Sequence, residues 1–148
     1  MPTGDDARPT LLTRKPSWLI SEVSRLAHPL ITAKLASAGS RGYHYRLLAA
    51  LAEFGPASQA SLGRRIAMDR SDVAAAVDEL VARGLAGRAL DPADRRRNVI
   101  SITPAGAAHL RRLDELLDGV QDELLAPLSP AERQQLVRLL SRILEHRA

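Results

Sequence analysis

Between residues 43 and 54 apolar side chains recur at Tyr43, Leu47, Leu51 and Phe54, with Leu48 beside them, and Gly55-Pro56 follows. Steps of four, four and three mark one face of an α-helix, and the glycine-proline pair ends it. Upstream, Trp18, Ile20, Val23, Leu26 and Leu30 fall near one side of a helix that Ser17 can cap and Gly39 can close, with Pro29 expected to kink or break it. Downstream, residues 58–67 (SQASLGRRIA) predict a short helix that buries Leu62 and Ile66. Residues 68–84 (MDRSDVAAAVDELVARG) predict a second, with Val73, Val77, Leu80 and Val81 inward, Asp69 as cap acceptor, Asp72 in the first turn and Gly84 at the end. Two short helices across a tight turn make a helix-turn-helix candidate.

After Gly84 the period changes. LAGRAL and NVISI are short and β-leaning, separated by the turn residues Asp91-Pro92-Ala93-Asp94 and a run of arginines, which predicts a two-stranded hairpin. Thr103-Pro104 then restarts a helix in which Leu110, Leu113, Leu117, Val120 and Leu124 repeat at alternating steps of three and four, the spacing of a coiled-coil seam. Ser129-Pro130-Ala131-Glu132 is a capping box before a last helix with Leu136, Leu139, Leu140 and Ile143 apolar. Residues 1–16, with Pro2, Pro9 and Pro16 and no period, read as a loose arm. The fold class is therefore mainly α with a small β-hairpin wing: a winged helix-turn-helix lobe over 40–103, and a helical region over 17–39 and 104–148. That helical region carries more apolar surface than so small a body can cover, which predicts a homodimer.

Composition changes this picture in three places. With 45% hydrophobic but only 3% aromatic residues, the core must be built of Leu, Ala, Val and Ile, so that Trp18, Tyr43, Tyr45 and Phe54 stand out. The absence of Cys removes disulfides, thiolate nucleophiles and thiol-based redox sensing. No apolar run approaches the roughly 18 residues of a membrane helix, and MPTGDDARPTLLTRKP lacks the apolar stretch of a signal peptide, so a soluble cytoplasmic protein is expected, with no membrane partner. His28, His44, His109 and His146 include no helical metal pair, and no nucleophile elbow, zinc-protease motif or phosphate-cradling loop occurs. Neither catalysis nor a cofactor nor a metal is expected.

The formal charge is +4, from 21 basic and 17 acidic residues, but it is concentrated in places, above all in LDPADRRRNVISITPAG at 90–106. A charge run alone is usually a solvated face. Beside a helix-turn-helix the same run becomes the tip of a wing, where one arginine can enter a minor groove and its neighbours can neutralise phosphates.

From about Trp18 to Leu144 the chain resembles a MarR-family transcriptional regulator. DPADRRRNVISITPAG is similar to that family's wing signature at Asp94, Arg96, Ile102, Thr103 and Gly106, and VAAAVDELVARGLAGR resembles the back of its recognition helix and the step into the wing. The resemblance implies a homodimer, held by the first and last two helices, that binds a pseudo-palindromic operator in double-stranded DNA, commonly as a repressor, and releases it on binding a small phenolic or other lipophilic acid. It places Arg96 in the minor groove with Asp94 steadying it, Arg95 and Arg97 on phosphates, and Arg70, Ser71, Asp72, Ala74 and Ala75 toward the major groove; Arg64 completes the DNA-facing set. An acid effector would be met by Trp18, His28, Tyr43 and His44, with Arg14 or Arg46 for its carboxylate and Lys15 and Tyr45 nearby, between the first helix and the DNA-binding lobe. Two alternatives stay open. The rings at helical spacing can simply pack, and the whole can be a winged-helix module that binds DNA or protein without sensing anything.

Overall fold

The structure, a computed structural model, describes residues 4–147. Its helices are α1 (Thr10–Thr13), α2 (Pro16–Ser37), α3 (Gly42–Phe54), α4 (Gln59–Ile66), α5 (Arg70–Ala82), α6 (Pro104–Leu124) and α7 (Pro130–Arg147). Its strands are β1 (Ala57–Ser58), β2 (Ala86–Leu90) and β3 (Asn98–Ile102). They fall into two compact units, one of residues 31–117, the other of the described residues up to Leu30 together with those from Asp118.

The 31–117 unit has the aliphatic core that the scarcity of aromatics demands. Leu47, Leu48 and Leu51 of α3, Leu62 of α4, Val73, Val77 and Leu80 of α5, Ile100 of β3 and Leu113 of α6 are all buried there. β3 pairs antiparallel with β2 from Ala86↔Ile102 to Leu90↔Asn98. Its other edge takes β1, so the sheet is three-stranded in the order β1-β3-β2 rather than a bare hairpin. Ala57 and Ser58 are too few to carry a period of two, which is why the pattern of the chain did not predict this strand. Ser58 also caps α4, its Oγ accepting from the Ser61 N–H at 3.1 Å.

The tight turn between α4 and α5 depends on Gly63, which is buried; a Cβ there would lie 3.1 Å from the Met68 carbonyl and 3.3 Å from Val73 Cγ2. That close approach lets the two helices cross with almost no linker. Asp69 occupies the cap position of α5, but its side chain makes no cap hydrogen bond, contrary to expectation; the helix starts on the main-chain bond from Val73 N–H to the Asp69 carbonyl, 3.0 Å. Phe54 also departs from the predicted inward stripe. It is 56% exposed, and the Arg65 guanidinium lies 4.0 Å from its ring centre, so the last turn of α3 satisfies the aromatic at the surface by a cation–π contact.

In the other unit, α2 runs through Pro29 without ending. Proline removes the N–H that would serve the Arg25 carbonyl, but both residues are exposed, so solvent can serve it instead. α2 begins at Pro16, not after a Ser17 cap, a proline being well suited to a first helical position. The stretch read as a loose arm contains α1, and Arg8 lies 6.0 Å from the Trp18 ring; Pro2 lies outside the described residues. The capping box of α7 forms as the sequence predicts, Ser129 N–H donating to Glu132 Oε1 at 2.9 Å and Glu132 N–H to Ser129 Oγ at 3.2 Å. α7 buries none of its residues, and Leu19, Ile20, Val23 and Leu26 of α2 are exposed with it around an apolar groove completed by Leu124, Leu125, Leu128 and Leu136. No helix among the described residues is long and apolar enough to cross a membrane.

Candidate nucleic-acid interface

α5 buries Val73, Ala76, Val77 and Leu80 and therefore turns Arg70, Ser71, Asp72 and Ala75 outward, with Ala74 half-buried at the edge. The wing is the β2–β3 hairpin, its loop closed by the Asp91 N–H bond to the Arg97 carbonyl, 2.9 Å. At its tip Asp94 organises the arginines. Its Oδ1 accepts from both the backbone N–H and the Nε of Arg96 at 3.1 Å, and its Oδ2 accepts from Nη2 at 3.4 Å. These bonds from Arg96 hold the Asp94 carboxyl below the usual carboxylate range. The Arg96 side chain is nonetheless 91% exposed. Asp91 does the same more loosely for Arg97, whose Nε lies 3.9 Å from Asp91 Oδ2. Arg95 is exposed on the same loop.

Between this tip and the start of the helix pair lies a cleft of about 450 Å³, lined by Ser58, Gln59, Ala60, Arg64, Arg70, Arg96, Arg97 and Asn98. Arg64, Arg70, Arg96 and Arg97, far apart in sequence, thus share one positively charged depression. Arg88 of β2 donates to Asp78 of α5 and ties the wing to that helix. The two residues lie ten positions apart, and the β2–α5 packing brings them together.

A second polar cluster sits at the C-terminal end of α5. His44, 4% exposed, accepts at Nδ1 from the Arg41 backbone N–H at 3.0 Å. Its proton therefore resides on Nε2, which donates to Glu79 Oε2 at 2.6 Å. Tyr43 donates to the same oxygen at 3.3 Å. Arg83 donates from Nη1 to the Gly39 carbonyl at 2.8 Å and to Ser40 Oγ at 3.1 Å. Having accepted that bond, the Ser40 hydroxyl is free to donate onward to His109 Nε2, 2.7 Å away. Burial pushes the His44 imidazole pKa down, against the pull of Glu79 and helped by the charges of Arg83 and Arg41; burial and Arg83 lower that of His109 likewise.

Both imidazoles resist protonation in the folded chain but take it up normally when unfolded, so their contribution to stability is fully present above the ordinary value of about 6.5 and is lost as pH falls from there through their lowered folded-state values. Thermal melts should show a falling midpoint from pH 7.5 to 5.0, and a weaker fall in His44→Gln. Parallel curves for the two proteins would contradict the assignment.

Of the proposed effector contacts, Tyr43 and His44 are engaged by Glu79, and Arg46 is exposed on α3. Arg14, Trp18 and His28 belong to the other unit, where Trp18 is half-buried and the other two are exposed. Tyr45 donates to Asp114 of α6 at 2.7 Å. Among the described residues no group of three or more His, Cys, Asp or Glu side chains could hold a metal ion.

Residues 39–97 match the family model of the MarR family. The chain is 32% identical over 98 residues to the HTH-type transcriptional repressor NicR of Pseudomonas putida, a match covering 66% of the chain and 62% of NicR. It spans about three fifths of the length of the curated relatives it matches. A probable transcriptional regulator from Pseudomonas aeruginosa, known from its crystal structure, superposes with a TM-score of 0.77 at 32% identity over 89% of this chain and 98% of the other. The PcaV transcriptional regulator from Streptomyces coelicolor, solved in complex with its natural ligand, does so with a TM-score of 0.77 at 26% identity, over 96% of this chain and 100% of PcaV.

Proposed function

The chain belongs to the MarR family of transcriptional regulators, and on that premise we propose that it represses transcription by binding a pseudo-palindromic operator as a homodimer and lets go when a small aromatic or phenolic acid binds. The observation that carries the DNA reading is the cleft shared by Arg64, Arg70, Arg96 and Arg97. A duplex laid across it would receive the N-terminal turns of α5 in the major groove, where Arg70 can hold guanine bidentately and Ala74 and Ala75 offer methyl contacts to thymine. Arg96, preset by Asp94, would enter the flanking minor groove, while Arg64, Arg95 and Arg97 would serve phosphates and release counterions. The protein acts in the cytoplasm, with the DNA it reads, and by binding rather than catalysis.

The homodimer rests on the uncovered apolar faces of α2 and α7. Ile143 is 53% exposed in the single chain, so Ile143→Asp costs the monomer little. In a dimer it would place a charge in an apolar interface. Sedimentation should give twice the mass of one chain for the wild type and a single chain's mass for Ile143→Asp. A monomeric wild type at micromolar concentration would sink the dimer.

Repression is supported by the likeness to NicR, and a small-molecule effector by the likeness to PcaV, solved with its natural ligand. The side chains proposed to meet the acid are Arg14, Trp18 and His28 in one unit or Tyr43, His44 and Arg46 in the other. A gel shift on the DNA flanking the chain's own gene, repeated against a panel of aromatic acids, tests both parts. Operator release with a change in Trp18 fluorescence supports sensing through the first group. A shift that no acid relieves leaves an architectural DNA-binding module.

A further inference from the structure

We propose that Glu79 and Arg83 aim the recognition helix: by clamping its C-terminal turn they fix the rotation and tilt of α5, so that discrimination between DNA sequences depends on two residues that touch no base. The inference rests on the DNA reading above and adds positioning residues to it.

The apolar face of α5 is poorly suited to fixing its own orientation. It is built from Val73, Ala76, Val77 and Leu80, and burial of such small aliphatic surfaces is non-directional. The directional bonds of α5 to the helical body lie at its far end. Glu79 is held by the buried ring of His44, itself locked by the Arg41 N–H, and by Tyr43. One turn later Arg83 grips the segment between α2 and α3. Besides the Gly39 carbonyl and Ser40 Oγ, it reaches the Ala38 carbonyl from Nη2 at 3.4 Å. Gly39 has φ +73°, a backbone conformation that L side chains rarely adopt, and the Arg83 guanidinium packs against it. Ser40, 2% exposed, passes the connection on to His109 of α6. The two clamping residues are four apart and so share one face of α5.

Leverage makes this clamp matter. Arg70 is nine residues from Glu79, roughly 14 Å along a helix. A tilt of about 5° at the clamp moves the reading end by roughly 1 Å, whereas a good hydrogen bond tolerates only a few tenths of an ångström. Phosphate contacts, held by long flexible cations, tolerate such a shift; bidentate contacts to base edges do not. Loss of the clamp should therefore cost sequence preference rather than general affinity.

The test uses the full chain and two duplexes: the sequence that wild-type protein enriches from a random library, and its scrambled version. Anisotropy titrations should show Glu79→Ala and Arg83→Ala each lowering the ratio of the two affinities about tenfold, the value of one misaligned base contact, with scrambled-duplex affinity and salt slope unchanged. Glu79→Gln, which keeps an acceptor for His44, should restore most of the ratio. An unchanged ratio in both alanine variants, or equal losses on both duplexes, would overturn the inference, because contacts that merely stabilise the fold cannot move the ratio alone. Should the alanine variants fail to fold, Arg83→Lys carries the test, since one ammonium cannot serve all three acceptors: a lowered ratio with a normal melt supports the clamp, an unchanged ratio overturns it. A wild type from which selection returns no preferred sequence overturns the DNA reading itself, and the clamp with it.

Discussion

Replacing Gly106 with alanine is expected to be the most damaging single-methyl change in the chain, costing roughly 3 kcal/mol or more of stability. Gly106 is buried in the first turn of α6, directly beneath the strand-to-helix junction. A Cβ there would lie 1.9 Å from the Leu85 carbonyl oxygen and 2.9 Å from Ile102 Cγ1. Neither can withdraw easily. The Leu85 carbonyl accepts the Thr103 N–H at 3.2 Å, and the Thr103 hydroxyl donates to the Gly84 carbonyl at 2.7 Å while accepting from the Gly106 N–H at 3.0 Å. Relief would have to move the start of α6 away from the sheet that carries the wing. The expected reading is a fall in melting temperature on the order of 10 °C, with operator binding reduced in proportion to the unfolded fraction. Gly119→Ala is the control: the same residue change later in α6, where a Cβ would meet nothing within 4 Å, should be neutral or slightly stabilising. Equal melts for the two variants would contradict the close packing at the junction.

Arg96→Ala should weaken operator binding by about 1–3 kcal/mol and lower the salt slope by about one phosphate equivalent, with an unchanged melt. The side chain is 91% exposed and, among the described residues, is bonded to Asp94 alone, so its removal leaves no cavity and no buried unpaired group. On DNA it loses both a groove contact and a charge aimed in advance. Asp94→Asn should fall between wild type and Arg96→Ala, since the guanidinium remains but its charged partner does not. Arg97→Ala, as a phosphate contact, should reduce affinity for operator and scrambled DNA alike. Anisotropy on both duplexes across a salt series separates these cases. An Arg96→Ala protein with wild-type affinity and slope would reduce the arginine run to a solvated turn.

Much of this architecture was legible in the chain because its helices obey simple periods. The stripe from Tyr43 to Leu51, the seam of α6 and the capping box of α7 each place apolar or capping residues where local geometry alone requires them. The exposure of the wing arginines and of the start of α5 follows from hairpin and helix phase, whereas the DNA roles expected of them come from the family resemblance. What was hidden depends on partners far apart in sequence. β1 is two residues long and exists only because the edge of β3 is free to pair. Pro29 passes through α2 because its surroundings are exposed, a property no local pattern encodes. Scarce rings and a neighbouring histidine make Tyr43 and His44 candidate ligand contacts as much as packing residues. Their hydrogen bonds to Glu79, 35 and 36 positions away, give them a structural partner that composition could not suggest. Glu79 and Arg83 themselves look like ordinary charges on a helix surface until the Ala38–Ser40 segment is folded against them.

The proposed joint reading of duplex DNA by α5 and the wing is tested by titrating wild-type protein against its library-selected duplex and the scrambled version, from 50 to 300 mM salt. A preference of roughly 10³ or more for the selected duplex that persists as salt rises is expected, with both affinities falling steeply as several phosphates release their counterions. Equal affinities for the two duplexes at every salt concentration would contradict it.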